Sequence, residues 1–191
     1  NTTRREDLKS IQNISPEKLR DIKGVQPGIE NILKTLPGVS INNEMSTQYS
    51  VRGGNFDENL VYVNGVEIYR PFLIRSGQQE GLSFVNSEMT DDIKFSSGGF
   101  EAKYGDKMSS VLDIKYKSPD SNDYRINTSF LGGSFTSENV SKNKNISNIL
   151  GLRYRDNSLL VNSKETNSNF KPSFFDLQNH LRLSINPRLS I

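Results

Sequence analysis

The sequence predicts a small α/β domain with a mixed sheet, followed by antiparallel strands of the kind that build a transmembrane β-barrel. Three observations carry this. One apolar helical stripe, Ile29 to Leu36, precedes the strands. Short β-branched and aromatic runs, separated by Gly and Asn/Asp turns, fill Tyr49 to Tyr116. Beyond Asp123 the pattern changes to long alternation of apolar and polar residues.

The first 14 residues are polar and aperiodic and read as a linker. Ser15-Pro16-Glu17 marks a helix start, with Ser15 as cap, Pro16 at the first helical position and Glu17 against the positive helix end. Leu19 and Ile22 share a face, and Gly24 ends this short helix. In the second helix Ile29, Ile32, Leu33 and Leu36 form one stripe, which Pro37-Gly38 terminates. Tyr49–Arg52 and Leu60–Val63 then read as strands. Asn64-Gly65 tolerates positive φ at both positions, so it predicts a type I′ hairpin into Val66–Tyr69. Residues 71–81 form a loop and Ser83–Glu88 a helical turn. Ile93–Ser96 is a strand, Gly98-Gly99 a turn, and Ser109–Tyr116 a longer strand with Ser110, Leu112, Ile114 and Tyr116 on one face. Pro119 to Asp123 is a polar boundary. The domains expected are therefore a linker (1–14), an α/β domain (15–118) and barrel strands (119–191).

In the last of these, Tyr124, Ile126, Thr128 and Phe130 alternate with polar residues. Ser134–Asn145 reads as a polar stretch. Ile146, Asn148, Leu150, Leu152 and Tyr154 alternate with a face that holds Arg153 and Arg155. Phe175, Leu177, Leu181, Leu183 and Ile185 alternate with Asp176, Gln178, His180 and Arg182. Such segments, about 9–11 residues long, suit a tilted crossing of a bilayer. A soluble antiparallel sheet with one wet face has the same period. A lipid-spanning barrel must close, so the few strands here imply a natural protein several times longer.

Composition narrows the function classes. Of the 191 residues 33% are hydrophobic, and mean hydropathy is -0.61. No run of 18 apolar residues exists, which excludes a transmembrane helix but not a barrel, whose strands need only one apolar face. The 24 basic and 22 acidic residues are interspersed, for a net charge of +2, and point to no nucleic-acid partner. With no cysteine, thiolate metal sites, disulfides and cysteine nucleophiles are absent. His180 is the single histidine and sits on the polar face of a strand. Asp57-Glu58, Asp91-Asp92 and Glu101 are scattered in turns, and nothing singles out a carboxylate pair for hydrolysis. No enzyme activity and no cofactor or metal is expected. Arg52-Gly53-Gly54 occurs once, without the repetition of a nucleic-acid box, and Gly98-Gly99 lacks the lysine and helix of a phosphate loop.

Several motifs come in a set order: Leu36-Pro37-Gly38-Val39, Val51-Arg52-Gly53-Gly54, Asn59-Leu60-Val61-Tyr62-Val63-Asn64-Gly65, Gly99-Phe100-Glu101-Ala102-Lys103-Tyr104-Gly105 and Ser109-Ser110-Val111-Leu112. The succession, from about Leu33 to Lys117, resembles the plug domain of TonB-dependent outer-membrane receptors. Arg153-Tyr154-Arg155-Asp156-Asn157-Ser158-Leu159-Leu160 and Phe170-Lys171-Pro172-Ser173-Phe174 look like the start of the barrel in a SusC-like or related branch. That branch often carries a carboxypeptidase-regulatory-like domain ahead of the plug. The resemblance implies a receptor in the cell outer membrane whose plug fills a 22-stranded barrel. It further implies energised import of a bulky solute (siderophore, glycan or peptide), with TonB in the periplasm, outer-membrane lipid and a surface lipoprotein as partners. No convincing TonB box, the segment that TonB grips by strand addition, is found in this stretch. That leaves a non-transporting barrel that scaffolds an outer-membrane complex as the alternative, and a soluble periplasmic binding domain ranks below both. On the resemblance, Arg52, Gly53, Gly54, Gly98 and Gly99 form a structural or gating motif, in which Arg52 pairs with carboxylates of the barrel wall. Arg70, Arg75, Gln78, Gln79 and Glu80, in the polar loop after the hairpin, are the ligand-contact candidates; anchoring the plug is their other reading.

Overall fold

A computed structural model describes residues 11–15, 17, 28–41, 48–69, 83–98, 101, 103–105, 109–156, 158, 173–186 and 189–190. The chain divides into two compact units, Asn1–Tyr116 and Lys117–Ile191.

The first unit is built on a five-stranded mixed sheet. In chain order its described elements are β1 (Ile11–Ile14), α1 (Ile29–Leu33), β2 (Val39–Ser40), β3 (Ser50–Val51), a 3-10 turn (Phe56–Glu58), β4 (Asn59–Val63), β5 (Val66–Glu67), β6 (Thr90–Ser96) and β7 (Ser110–Tyr116). The strand order is β1-β6-β7-β4-β5, and β2 pairs with β3 separately. All neighbours in the large sheet are antiparallel except β4 and β7, which run parallel from Asn59↔Ser110 to Val63↔Ile114. Strand residues alternate between faces. Ile14, Ile93, Phe95, Leu112, Ile114 and Val61 therefore share one face, and this face joins Ile29, Ile32, Leu33, Val51 and Val85 in the core. The helical stripe read from sequence thus packs as expected, with Leu36 partly buried against the same core. Leu60 and Val111, also buried, point to the opposite face.

The hairpin between β4 and β5 forms as the Asn-Gly pair predicts, with φ of 51° at Asn64 and 80° at Gly65. The Asn64 amide donates to Ile114 O (2.9 Å), and its side-chain Oδ1 accepts from the Tyr116 amide (2.8 Å). The side chain thereby extends the parallel β4–β7 ladder past the last strand residue. Ser15 accepts from the Glu17 amide at 3.3 Å, as a helix cap does; Leu19, Ile22 and Gly24 lie outside the described residues. Within 83–88 the expected helical turn appears as a bridge at Ser83 and a turn at Ser87–Met89.

One reading of this unit needs correction. The sequence assigns 11–14 to a linker, yet these residues form β1 and pair with Ile93–Ser96. Ile11 and Ile14 flank two polar residues, a spacing too short to show a period. The backbone edge of β6 supplies the order, and burial of Ile14 in the core adds to it.

The second unit is an antiparallel meander: β8 (Asp123–Ser129), β9 (Gly132–Val140), β10 (Ile146–Asp156), β11 (Ser173–Asn186) and β12 (Leu189–Ser190), in sheet order β12-β11-β10-β9-β8. The sheet is not closed. Register places Tyr154 opposite Phe175, Leu152 opposite Leu177, Asn148 opposite Leu181 and Ile146 opposite Leu183. Tyr124 and Ile126 share that face through β9. It is a broad apolar surface left open, with Ile126 74%, Phe175 70% and Leu177 58% exposed. The other face is largely polar, apart from the buried Ile149 and Phe174, and carries ion pairs. Both Nε and Nη2 of Arg153 donate to Asp176 Oδ2, the former at 2.8 Å. Lys117 and Arg125 reach Glu138 at 3.1 and 3.5 Å.

The second correction is β9, expected as a polar stretch. Its apolar-side positions are Gly133, Phe135, Ser137 and Asn139, so it carries almost no hydrophobic signal. Pairing on both sides, from Ser129↔Gly132 to Ser147↔Val140, makes it a strand. Among the described residues no helix is long and apolar enough to cross a membrane.

Candidate functional site

Residues of several of the quoted motifs, among them Gly38, Arg52, Gly54 and Ser109, converge on one turn. After β3 the chain adopts positive φ twice in succession, 51° at Arg52 and 81° at Gly53. The Gly54 amide then bonds Val51 O at 3.0 Å, the pattern of a type I′ turn. A left-handed conformation costs glycine nothing but costs arginine about 1–2 kcal/mol, so neighbours must hold Arg52 there. Its amide donates to Gly38 O at 2.8 Å. Its side chain runs across two glycines: a Cβ built on Gly38 would lie 3.4 Å from Arg52 Cγ, and one on Gly98 would lie 3.0 Å from Nη1. Arg52 is an exposed residue, and no carboxylate among the described residues pairs with it.

Gly54 is seated more tightly still. A Cβ there would fall 1.9 Å from Ser109 Oγ and 2.7 Å from Glu58 Oε2. Those two groups bond each other at 2.7 Å above the glycine backbone. Ser110 Oγ donates to Asn59 Oδ1 (2.7 Å), and Asn59 Nδ2 to Tyr49 O (2.7 Å). The Arg-Gly-Gly and Ser-Ser-Val motifs are therefore two halves of one joint at the start of the β4–β7 pair.

Tyr104 lies over the sheet face that carries Tyr62 and Asp113. Tyr104 packs its ring 5.2 Å from that of Tyr62 and donates its hydroxyl to Asp113 at 2.7 Å. Burial, and next the Asp113 hydrogen bond, push the Tyr104 phenol above its usual range. Lys103 lies 4.6 Å over the same ring and pairs with Glu101 at 2.9 Å. The hydrogen bond that the Lys103 ammonium donates to Glu101 is the main cause that raises its pKa.

Of the residues singled out from sequence, Arg52, Gly53, Gly54 and Gly98 come together. Gly99 and the ligand candidates Arg70, Arg75, Gln78, Gln79 and Glu80 lie outside the described residues. Sequence reasoning missed Gly38, Glu58 and Ser109 as parts of this joint, although Gly38 and Ser109 stood in the quoted motifs. His180 sits on the polar face of β11 opposite Ile149. Among the described residues no group of three or more His, Asp or Glu side chains is placed to hold a metal ion.

The family model for the TonB-dependent receptor plug domain matches residues 3–111. No curated protein sequence matches the chain. Solved structures similar in fold include the outer-membrane transporter YddB of Escherichia coli, at 14% identity and TM-score 0.64, covering 95% of this chain and 32% of that one. A mutant of the ferric enterobactin receptor of Pseudomonas aeruginosa in complex with enterobactin matches at 17% identity and TM-score 0.62, over 94% of this chain and 31% of that one. The Pseudomonas aeruginosa protein FpvA, bound to heterologous pyoverdines, matches at 14% and 0.62, over 93% and 23%. The chain thus spans about a third or less of the length of these structures.

Proposed function

Because the chain belongs to the TonB-dependent receptor plug-domain family of the cell outer membrane, we propose that the protein carrying it is an energised importer of a bulky solute, with this plug gating its barrel. The observation that carries the reading is the order of the two units. A plug-type mixed sheet is followed in the same chain by an antiparallel meander with one broad apolar face and one ion-paired face. Lipid on one side of a barrel wall and water on the other ask for that division. In this reading the plug includes β1 and extends to about residue 118, and 119–191 are the first barrel strands. Arg52 meets a carboxylate of the wall, and Arg70, Arg75, Gln78, Gln79 and Glu80 face the ligand. The Arg153–Leu160 and Phe170–Phe174 segments favour the SusC-like branch, with a carboxypeptidase-regulatory-like domain upstream and a surface lipoprotein partner.

The test is uptake by cells that express the full-length protein, with and without TonB. Ferric enterobactin comes first in the panel, since a receptor for it shares the fold. Uptake that collapses without TonB or without the proton gradient supports the proposal. Uptake unchanged by loss of TonB refutes energised import. A stoichiometric complex with no uptake of any solute supports the scaffold alternative.

A further inference from the structure

We infer that Gly98 is a positioning residue for Arg52: by lacking a side chain it leaves open the slot along which the guanidinium is aimed. This rests on the reading that Arg52 docks on a carboxylate of the barrel wall. The slot has a floor, a wall and an anchored origin. Gly38 forms the floor, at van der Waals distance from the Arg52 stem, since its added Cβ would stand 3.4 Å from Cγ. Gly98 forms the wall, where an added Cβ would stand 3.0 Å from Nη1 and 3.7 Å from Cζ. The origin is fixed by the left-handed Arg52 backbone, with φ of 51°, and by its amide bond to Gly38 O at 2.8 Å. Ser96 Oγ in turn donates to Gly98 O at 3.0 Å, which ties the wall to the end of β6.

A methyl group at position 98 would meet the far end of a flexible side chain. Gly98 has φ of 135°, so any side chain there also strains the backbone. That strain is the same whatever stands at position 52, and the part of the damage that depends on Arg52 is the displacement of its guanidinium. Arginine recognises a carboxylate through a planar fork of donors, so its direction matters as much as its charge. Lysine at position 52 has no Nη1 to collide with the new methyl and delivers a point charge that is less demanding in direction.

The experiment uses the full-length receptor in cells and reads the seating of the plug by vancomycin sensitivity, an antibiotic too large for general porins. Surface expression is measured for each variant. Arg52→Ala is expected to raise vancomycin influx. Gly98→Ala is expected to raise it by roughly threefold to tenfold when Arg52 is present, and by less than about twofold in the Arg52→Ala background, the signature of two residues acting as one unit. The Gly98→Ala penalty should also shrink in an Arg52→Lys background. Gly53→Ala shows what a strained backbone alone does, as a lower bound, since Gly53 has φ of 81° against 135° at Gly98 and an added Cβ would meet nothing within 4 Å. The Arg52→Ala background removes the strain common to both. If Gly98→Ala loosens the plug as much without Arg52 as with it, or no more than Gly53→Ala does, the positioning role is overturned while the docking role of Arg52 survives. If Arg52→Ala itself leaves influx unchanged, the docking reading fails and the inference falls with it. Loss of the Gly98→Ala variant from the surface, with recovery in neither the Arg52→Ala nor the Arg52→Lys background, also overturns it, since Gly98 would then serve the backbone alone.

Discussion

An arginine placed on the apolar face of β11 should destabilise the barrel by an amount set by depth, and the structure says where the deepest position lies. The 11 residues of β10 rise about 33 Å at roughly 3.3 Å per residue. At a tilt of about 40° this is a height of about 25 Å, the thickness of the apolar band of outer-membrane barrels. Gly151 is the middle residue, so Leu150 and Leu152 flank the midplane, and the partner of Leu152 is Leu177. Leu177→Arg should cost about 2–4 kcal/mol, and Leu183→Arg, nearer the rim, about 0–1 kcal/mol. The neighbour Gln178 points to the other face, where its Nε2 lies 3.1 Å from Asp176 Oδ2. Gln178→Arg would meet that carboxylate and should cost less than about 1 kcal/mol. Reversible unfolding of the full-length protein in lipid vesicles, titrated with denaturant, measures all three. Equal costs for Leu177→Arg and Gln178→Arg would show that the lipid and water faces are misassigned.

Two further predictions concern the first unit. Asn64 combines a left-handed backbone with a side-chain bond to the Tyr116 amide. Asn64→Gly should thus lose only the bond, about 1 kcal/mol, and Asn64→Ala about 2 kcal/mol or more; equal losses in denaturant unfolding would remove the backbone part of the argument. Tyr104 holds its proton more tightly folded than unfolded, so its contribution is complete below about pH 10 and is lost as pH rises through the folded-state value. Tyr104→Phe should flatten that alkaline loss of stability, and an unchanged slope in the variant would contradict the role given to burial and Asp113.

What the sequence made legible follows from how much local information each element carries. The Asn64-Gly65 hairpin was readable because two adjacent residues dictate the turn. The long alternations of β10 and β11 were readable because one face repeats over many residues. By contrast β1 has four residues, and β9 presents glycine, serine and asparagine to the apolar side, so both exist through their neighbours' backbone edges. The joint at Arg52 was half visible. The glycines stood out, but the meeting of Gly38, Arg52 and Gly98, and of Gly54 with Glu58 and Ser109, is a tertiary fact without local periodicity.

The parallel pairing of β4 with β7 has a consequence for how the domain is made. β7 lies in the middle of the sheet between β6 and β4, yet it is the last of the five strands in sequence. Until it emerges, β4 has only its short hairpin partner and β6 only the four residues of β1. Joining Asn59 to Ser110 closes a loop of about 50 residues, an entropic cost on the order of 3–4 kcal/mol before a single ladder bond is gained. Folding should therefore be late and all-or-none, with the non-local step limiting its rate. A chain stopped just before Ser110 would have made four strands of the sheet and still lack the one that lets them cohere.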